Sequence, residues 1–319
     1  MRDLRGRTAV VTGAASGIGR GIALALGREG MRVAVADLDA DGAAAVAREI
    51  GAGAFALPLD VTSNDSLEAG AEQLAARAGG AHVLVNNAGV MLPLRPMSEA
   101  SDADWEYILS VNLLGVVRCV RAFLPQLRAS APDAHIVNTA SLGGLVAVPG
   151  FPIGPYVTSK YACVGYTESL RGELAPEGIG VSVLCPGMVI SNLSATSARN
   201  RPARLGSQAA APAAAAANPE LATRMLPAED VGPLVVRGIG ENRLHIFTHA
   251  NGRPQVERRF AAILADFEAS PRPRSRAARG GPMKFALRDS LFNPYKIPHE
   301  AVMKSIELIG KHVIPEFDR

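Results

Sequence analysis

The sequence predicts an α/β fold, a doubly wound parallel sheet with helices on both faces. Two observations predict it. From residue 8 to residue 185, short β-branched runs alternate with longer Ala- and Leu-rich stretches whose apolar positions recur at helical spacing. The first strand-to-helix junction then carries a glycine-rich turn, Thr12-Gly13-Ala14-Ala15-Ser16-Gly17-Ile18-Gly19. Strands separated by helices pair in parallel, and right-handed crossovers cover both faces of the sheet.

The elements follow in order. Residues 8–11 read as a strand. Residues 17–29 read as a helix with Ile18, Ile22, Ala25 and Leu26 on one face and Gly30 as its stop. A strand at 31–36, a helix at 40–50 and a strand at 55–58 lead to Asp60. A helix at 66–78, a strand at 82–86, one long helix at 101–129 with Pro125 near its end, and a strand at 135–139 come next. A helix at 156–174 and a strand at 181–184 complete the alternation. After Pro186 it loosens. Residues 188–226 are rich in Ala, Ser, Asn and Pro, with a low-complexity run at 209–217, and read as a lid insertion. A helix at 230–238, a strand at 244–248 and a helix at 257–268 end a domain expected to span 1–270. Residues 271–282 form a basic, Pro- and Gly-rich linker, and 283–319 a C-terminal extension of unassigned role with one helix candidate at 300–310.

Composition narrows the function. The chain is 48% hydrophobic and 20% charged, enough for a core and unlike a disordered chain. Lys+Arg 33 against Asp+Glu 30 leaves +3, and aromatics are 5%, so neither the charge nor a base-stacking platform points to a nucleic-acid partner, and none is expected. Cys119, Cys163 and Cys185 form no C-x-x-C pair, which points to a reducing compartment. The histidines (His82, His135, His245, His249, His299 and His312) show no ligand spacing, so no metal site is expected. Residues 1–13 carry no secretory pattern and no run of 18 apolar residues occurs, so a cytoplasmic protein without a membrane partner is expected.

The glycine turn lies between a strand and a helix, the context in which a helix N-terminus binds a pyrophosphate. Gly13 permits the turn, and Gly17 and Gly19 keep Cβ atoms away from a close ligand. Gly13, Ser16, Gly17, Ile18 and Gly19 are therefore candidate contacts. Asp37 ends the second strand, where a carboxylate accepts from both adenosine ribose hydroxyls and repels a 2′-phosphate. NAD is favoured over NADP on that ground. Tyr156 and Lys160 stand one helical turn apart on one helix face. A free tyrosine is a poor base at neutral pH, but a neighbouring ammonium stabilises the tyrosinate.

Further motifs join these: Asp60-Val61, Asn86-Asn87-Ala88-Gly89, Asn112 in VNLLG, Ser141 at a strand end, and Pro186-Gly187-Met188-Val189. In this order the set resembles the short-chain dehydrogenases/reductases, strongly over residues 5–189 and more loosely to residue 268. The resemblance implies a Rossmann-type fold. It also implies an oxidoreductase that moves a hydride between NAD and a secondary alcohol or ketone. Tyr156 would be the general acid/base, Lys160 its partner and a ribose ligand, Ser141 the group on the substrate oxygen, and Asn112 the holder of a relay water. Asp60, Val61, Asn87, Gly89, Pro186, Gly187 and Val189 would join the cofactor contacts. A homodimer or homotetramer through the helices at 101–129 and 156–174 is implied as well.

Some features depart from the family pattern. The Ser141 to Tyr156 gap is two residues longer than usual, Ser191 stands where Thr is common, and the last-strand glycine motif is replaced by Glu241–Phe247. SLGG at 141–144, Gly154-Pro155-Tyr156 and RPARLG at 201–206 resemble the Cα-dehydrogenases that oxidise lignin-derived benzylic alcohols. That implies a bulky aromatic or hydrophobic substrate. A catalytically silent NAD(H)-binding sensor is the competing expectation, opposed by the intact Asn112, Ser141, Tyr156 and Lys160. Residues 298–317 resemble the last helix of luciferase-like flavin monooxygenases, but the chain has no room for their barrel and no flavin chemistry is assigned.

Overall fold

A computed structural model describes residues 3–51, 53–147, 152–208 and 225–270. The low-complexity run at 209–217, the basic linker and the C-terminal extension with its helix candidate lie outside the described residues.

The strands are β1 (Thr8–Thr12), β2 (Arg32–Asp37), β3 (Phe55–Pro58), β4 (Val83–Asn86), β5 (His135–Thr139), β6 (Gly180–Cys185) and β7 (His245–Phe247). They form one parallel sheet in the order β3-β2-β1-β4-β5-β6-β7. The helices are α1 (Gly17–Arg28), α2 (Ala40–Ile50), α3 (Asn64–Ala78), α4 (Asp102–Asn112), α5 (Leu114–Ala129), α6 (Gly154–Leu174), α7 (Leu193–Arg199), α8 (Val231–Gly240) and α9 (Arg253–Ala269). All five residues of β1 are buried, as a strand covered on both faces requires. Its side chains alternate: Ala9 and Val11 pack with Ile22, Val46 and Val235 from α1, α2 and α8, and Val10 packs with Leu74, Ile108 and Phe123 from α3, α4 and α5. The doubly wound sheet predicted from the alternation is therefore the observed architecture. The strand order reverses between β1 and β4, which opens a crevice at their carboxyl ends.

The single helix expected at 101–129 is two helices. Leu113 leaves helical geometry (φ −118°, ψ −64°), and the Ser110 carbonyl accepts from Arg118 Nη1 at 3.3 Å. Apolar periodicity runs through the break without marking it. Taken together, Asp102–Ala129 is apolar and long enough to cross a membrane, but its buried residues, among them Ile108 and Phe123, pack under the sheet. Pro125 sits inside α5 without ending it. α3 begins earlier than expected because Ser63 caps it, its hydroxyl accepting from Ser66 N at 3.2 Å. All three cysteines are buried free thiols.

One buried group makes stability depend on pH. His135 Nε2 bonds Ser182 Oγ at 2.8 Å while that hydroxyl donates to the Arg243 carbonyl, so Nε2 carries the proton. Nδ1 is buried without a partner. Burial pushes the imidazole down to about 3. The unfolded chain, with an ordinary histidine near 6.5, therefore binds the extra proton first. The contribution is complete above about pH 6.5 and is lost as pH falls toward 3. Urea unfolding is expected to show stability dropping by on the order of a few kcal/mol across that window. His135→Gln should flatten that slope; an unchanged slope would show that other groups set it.

Candidate active site

A cleft of about 920 Å³ lies along the carboxyl ends of the strands. Its floor begins at the glycine turn. Gly13 (φ +64°) and Gly17 (φ +53°) both take left-handed backbone. A Cβ on Gly13 would lie 2.9 Å from Ala88 Cα. Thr12 fastens this turn to the end of β4: its hydroxyl accepts from the Asn87 and Ala88 N–H groups, both at 3.0 Å. Asn87 Nδ2 returns bonds to the carbonyls of Thr12 and Gly13. Ser16 precedes α1 with an extended backbone and its side chain makes no cap. The first N–H groups of α1, which lack intrahelical acceptors, therefore open toward the cleft that Ser16, Gly17 and Ile18 line. Gly19 is buried behind the turn and does not line the cleft; a Cβ there would meet Gly13 O at 2.1 Å and Asn87 Nδ2 at 2.5 Å.

Asp37 lines the far end. Its carboxylate accepts from Ala15 N at 2.9 Å and Asp39 N at 3.0 Å, so it also braces the turn. Asp60 accepts from Thr62 N and Oγ1, and with Val61 it lines the opposite wall. Arg20 is occupied by Glu49 in a two-pronged pair on the surface.

At the other end the cleft is lined by Ser141, Tyr156, Lys160, Asn87, Gly89, Pro186, Gly187 and Val189. α6 carries Tyr156 and Lys160 on one face. The Lys160 ammonium is buried, donates to the Thr139 carbonyl at the end of β5 (2.9 Å), and stands 5.6 Å from the Tyr156 ring centre. Ser141 follows β5, and its hydroxyl accepts from Gly143 N at 3.1 Å. Leu142 N bonds the Pro186 carbonyl, which joins the Ser141 turn to the exit of β6.

Asn112 is fully buried behind this wall and does not line the cleft. Its amide accepts from Val90 N at 2.7 Å and donates to Val90 O at 2.9 Å and Ser159 Oγ at 3.0 Å. The side chain thus clamps the exit of β4 to α6. Among the described residues no cluster of His, Cys, Asp or Glu could hold a metal ion. Cys185 is a buried thiol, pushed up to about 12 by burial.

Residues 188–208 and 225–226, the described part of the expected insertion, hold more structure than their composition suggests. Val189 bridges Leu226, and α7 follows over the cleft, with Leu193, Thr196 and Arg199 lining it. Arg204 of the RPARLG segment lines the cleft, and so do Trp105, Glu106 and Leu109, which no sequence motif marks. The signal that could have drawn attention to α4 is its start, Ser101-Asp102-Ala103-Asp104, which forms a capping box.

Residues 7–202 match the family described as short chain dehydrogenase. A C alpha-dehydrogenase of Sphingobium sp. is 31% identical over 279 residues, covering 85% of this chain and 90% of that protein. A CLA biosynthesis dehydrogenase/reductase of Lactiplantibacillus plantarum is 32% identical over 279 residues, with 83% and 96% covered. Among solved structures, a short chain dehydrogenase/reductase from Burkholderia phymatum in complex with NAD superposes with a TM-score of 0.74 at 34% identity, covering 86% of this chain and 99% of that one. The apo form of LigD from Sphingobium gives 0.68 at 28% identity, with 85% and 100% covered.

Proposed function

Because this chain belongs to the short-chain dehydrogenase/reductase family, we propose that it interconverts a secondary alcohol and a ketone with NAD as cofactor. The observation that carries this reading is the convergence of Ser141, Tyr156 and Lys160 on one end of a cleft whose other parts are the glycine turn and Asp37. The left-handed glycines and the open N–H groups of α1 suit a pyrophosphate, and Asp37 suits the adenosine ribose. When bound, the nicotinamide supplies the hydride acceptor or donor.

The chain's own residues do the rest. Ser141 holds the substrate oxygen, and Tyr156 takes the hydroxyl proton in oxidation or returns it in reduction. Lys160, fixed by the Thr139 carbonyl, sets its ammonium beside the Tyr156 ring and within reach of a bound ribose. Asn112 positions both sides of the site through Val90 and Ser159. Trp105, Leu109 and Leu193 on the cleft wall, and Met97 packed against Gly154 near Tyr156, favour a bulky aromatic or hydrophobic substrate. A homodimer or homotetramer belongs to the same reading, with equilibrium sedimentation as its check.

A screen of aryl and alkyl secondary alcohols with NAD and NADP, read at the nicotinamide absorbance, tests the proposal. Turnover with NAD on a bulky aryl alcohol supports it. NAD binding without turnover on any alcohol or ketone would favour the silent sensor.

Asp37 carries the cofactor choice. Asp37→Ser removes both the ribose acceptor and the negative charge facing a 2′-phosphate. NAD affinity should fall, and discrimination against NADP should relax by roughly 1–3 kcal/mol. Steady-state constants for both cofactors on parent and variant decide it; a parent that prefers NADP would sink the assignment.

A further inference from the structure

The segment 191–208 is tied down at points far from the reacting groups. Arg201 and Asp104 form an ion pair at 2.9 Å with each side chain only 4% exposed. The guanidinium is fully engaged on several sides. Nε bonds Gly206 O at 3.0 Å, Nη2 bonds Leu205 O at 2.8 Å, Nη1 also bonds Gln208 Oε1 at 3.1 Å, and the group lies 5.3 Å from the Tyr107 ring centre. Asp104 spends its other oxygen on Ser101 N and Oγ and on Arg95 Nη1. Burial alone would raise this carboxyl, but the Ser101 and Arg201 bonds and the Arg95 charge hold it below its ordinary value.

One turn along α4, the Tyr107 hydroxyl donates to Ser197 O at 2.8 Å. The Ser197 hydroxyl accepts from Met91 N at 2.8 Å, and Gln208 Nε2 donates to Met91 O at 3.1 Å. Both backbone groups of Met91 are thus satisfied by this segment, and the preceding residue, Val90, is the one Asn112 clamps. A continuous set of buried polar contacts therefore runs from Arg201 to the wall behind Lys160. α7 hangs within it, with Ser197 turned to α4 and Leu193 and Thr196 turned to the cleft.

We propose that Arg201 and Asp104 are positioning residues for the reaction: their buried ion pair fixes α7 as a rigid roof over the cleft and so sets the fit of the substrate. The argument rests on the dehydrogenase reading of the same site. A fixed roof holds the alcohol near its reacting geometry, and such positioning is worth about 10²-fold when a supporting contact shifts by an ångström. Only arginine fills the role, because its planar fork reaches the carboxylate and two carbonyls at once while lysine offers a single point charge.

The test uses Arg201→Lys and Asp104→Asn in the full chain. Three quantities are read: KM and kcat for the best alcohol at saturating NAD, trypsin cleavage after Arg199 and Arg204, and emission of Trp105, the single tryptophan, which lines the cleft. The expected result for Arg201→Lys is a KM raised about tenfold or more with a smaller fall in kcat. Cleavage should be about tenfold faster, and the Trp105 emission shifted to the red, with cooperative unfolding retained. Asp104→Asn keeps a cap for α4 but removes the charge partner, and should move all three in the same direction if the lysine variant fails to fold. Parental KM in a folded variant overturns the proposal. Faster cleavage with parental KM overturns it too, since the tie would then be structural alone. A parent without alcohol turnover refutes the dehydrogenase reading instead; the cleavage and emission measurements still report whether the pair holds the roof.

Discussion

Tyr156→Phe is expected to lower turnover by about 10²–10⁴-fold while leaving NAD binding nearly unchanged. The ring packs partly buried at the start of α6, and phenylalanine fills the same volume. Among the described residues no hydrogen bond of the fold depends on the phenol oxygen: the Lys160 ammonium is held by the Thr139 carbonyl, and the Tyr156 backbone carbonyl accepts from Ser159 Oγ. What disappears is the phenol proposed to exchange the substrate proton beside the Lys160 ammonium. Rates under saturating NAD, with cofactor affinity measured by titration, separate the two effects. Near-parental turnover in a folded variant would remove Tyr156 from the mechanism.

The second large effect is steric. Gly19→Ala would place a methyl group 2.1 Å from the Gly13 carbonyl oxygen and 2.5 Å from Asn87 Nδ2. The first obstacle is backbone, and Gly13 is itself held near β4, so relief requires the first turn of α1 to move. Overpacking of this kind costs about 1–3 kcal/mol or more. NAD affinity is expected to fall at least about tenfold, because the same N–H groups of α1 that must shift are those facing the pyrophosphate position. Gly172→Ala is the control. It lies exposed on α6 with open space around its added Cβ, and should stabilise by about 0.5–1 kcal/mol. Thermal melts with and without NAD compare the pair. Equal behaviour of the two variants would show that the turn tolerates a side chain.

Much of the fold was legible because its signals are local. The helix at Ala40–Ile50 and the strands at Phe55–Pro58 and His135–Thr139 fall where spacing and composition predict them. So does the turn before α1, where glycine is required by left-handed backbone at Gly13 and Gly17. Boundaries slipped where a capping side chain decided them, as at Ser63, or where a helix began upstream of its apolar stripe, as α9 does at Arg253. The break at Leu113 was not legible, because apolar residues continue through it on both sides.

The alternating parallel architecture, the glycine turn with Asp37 beyond it, and the Tyr156–Lys160 pair on one helix face are all readable from the order of residues. Each depends on residues a few positions apart, where backbone geometry alone dictates what lies next to what. Which partners close the site emerges from the packing of distant segments. Arg201 meets Asp104 across 97 positions of sequence, Asn112 reaches Ser159 across 47, and His135 finds Ser182 across 47. Packing sets Gly19 against Gly13 and Asn87, a neighbourhood that the spacing of the glycines does not reveal. Such pairings are chosen by how helices and strands pack. A buried charge or amide must be satisfied by whatever the packing brings within reach, and no local pattern encodes that partner.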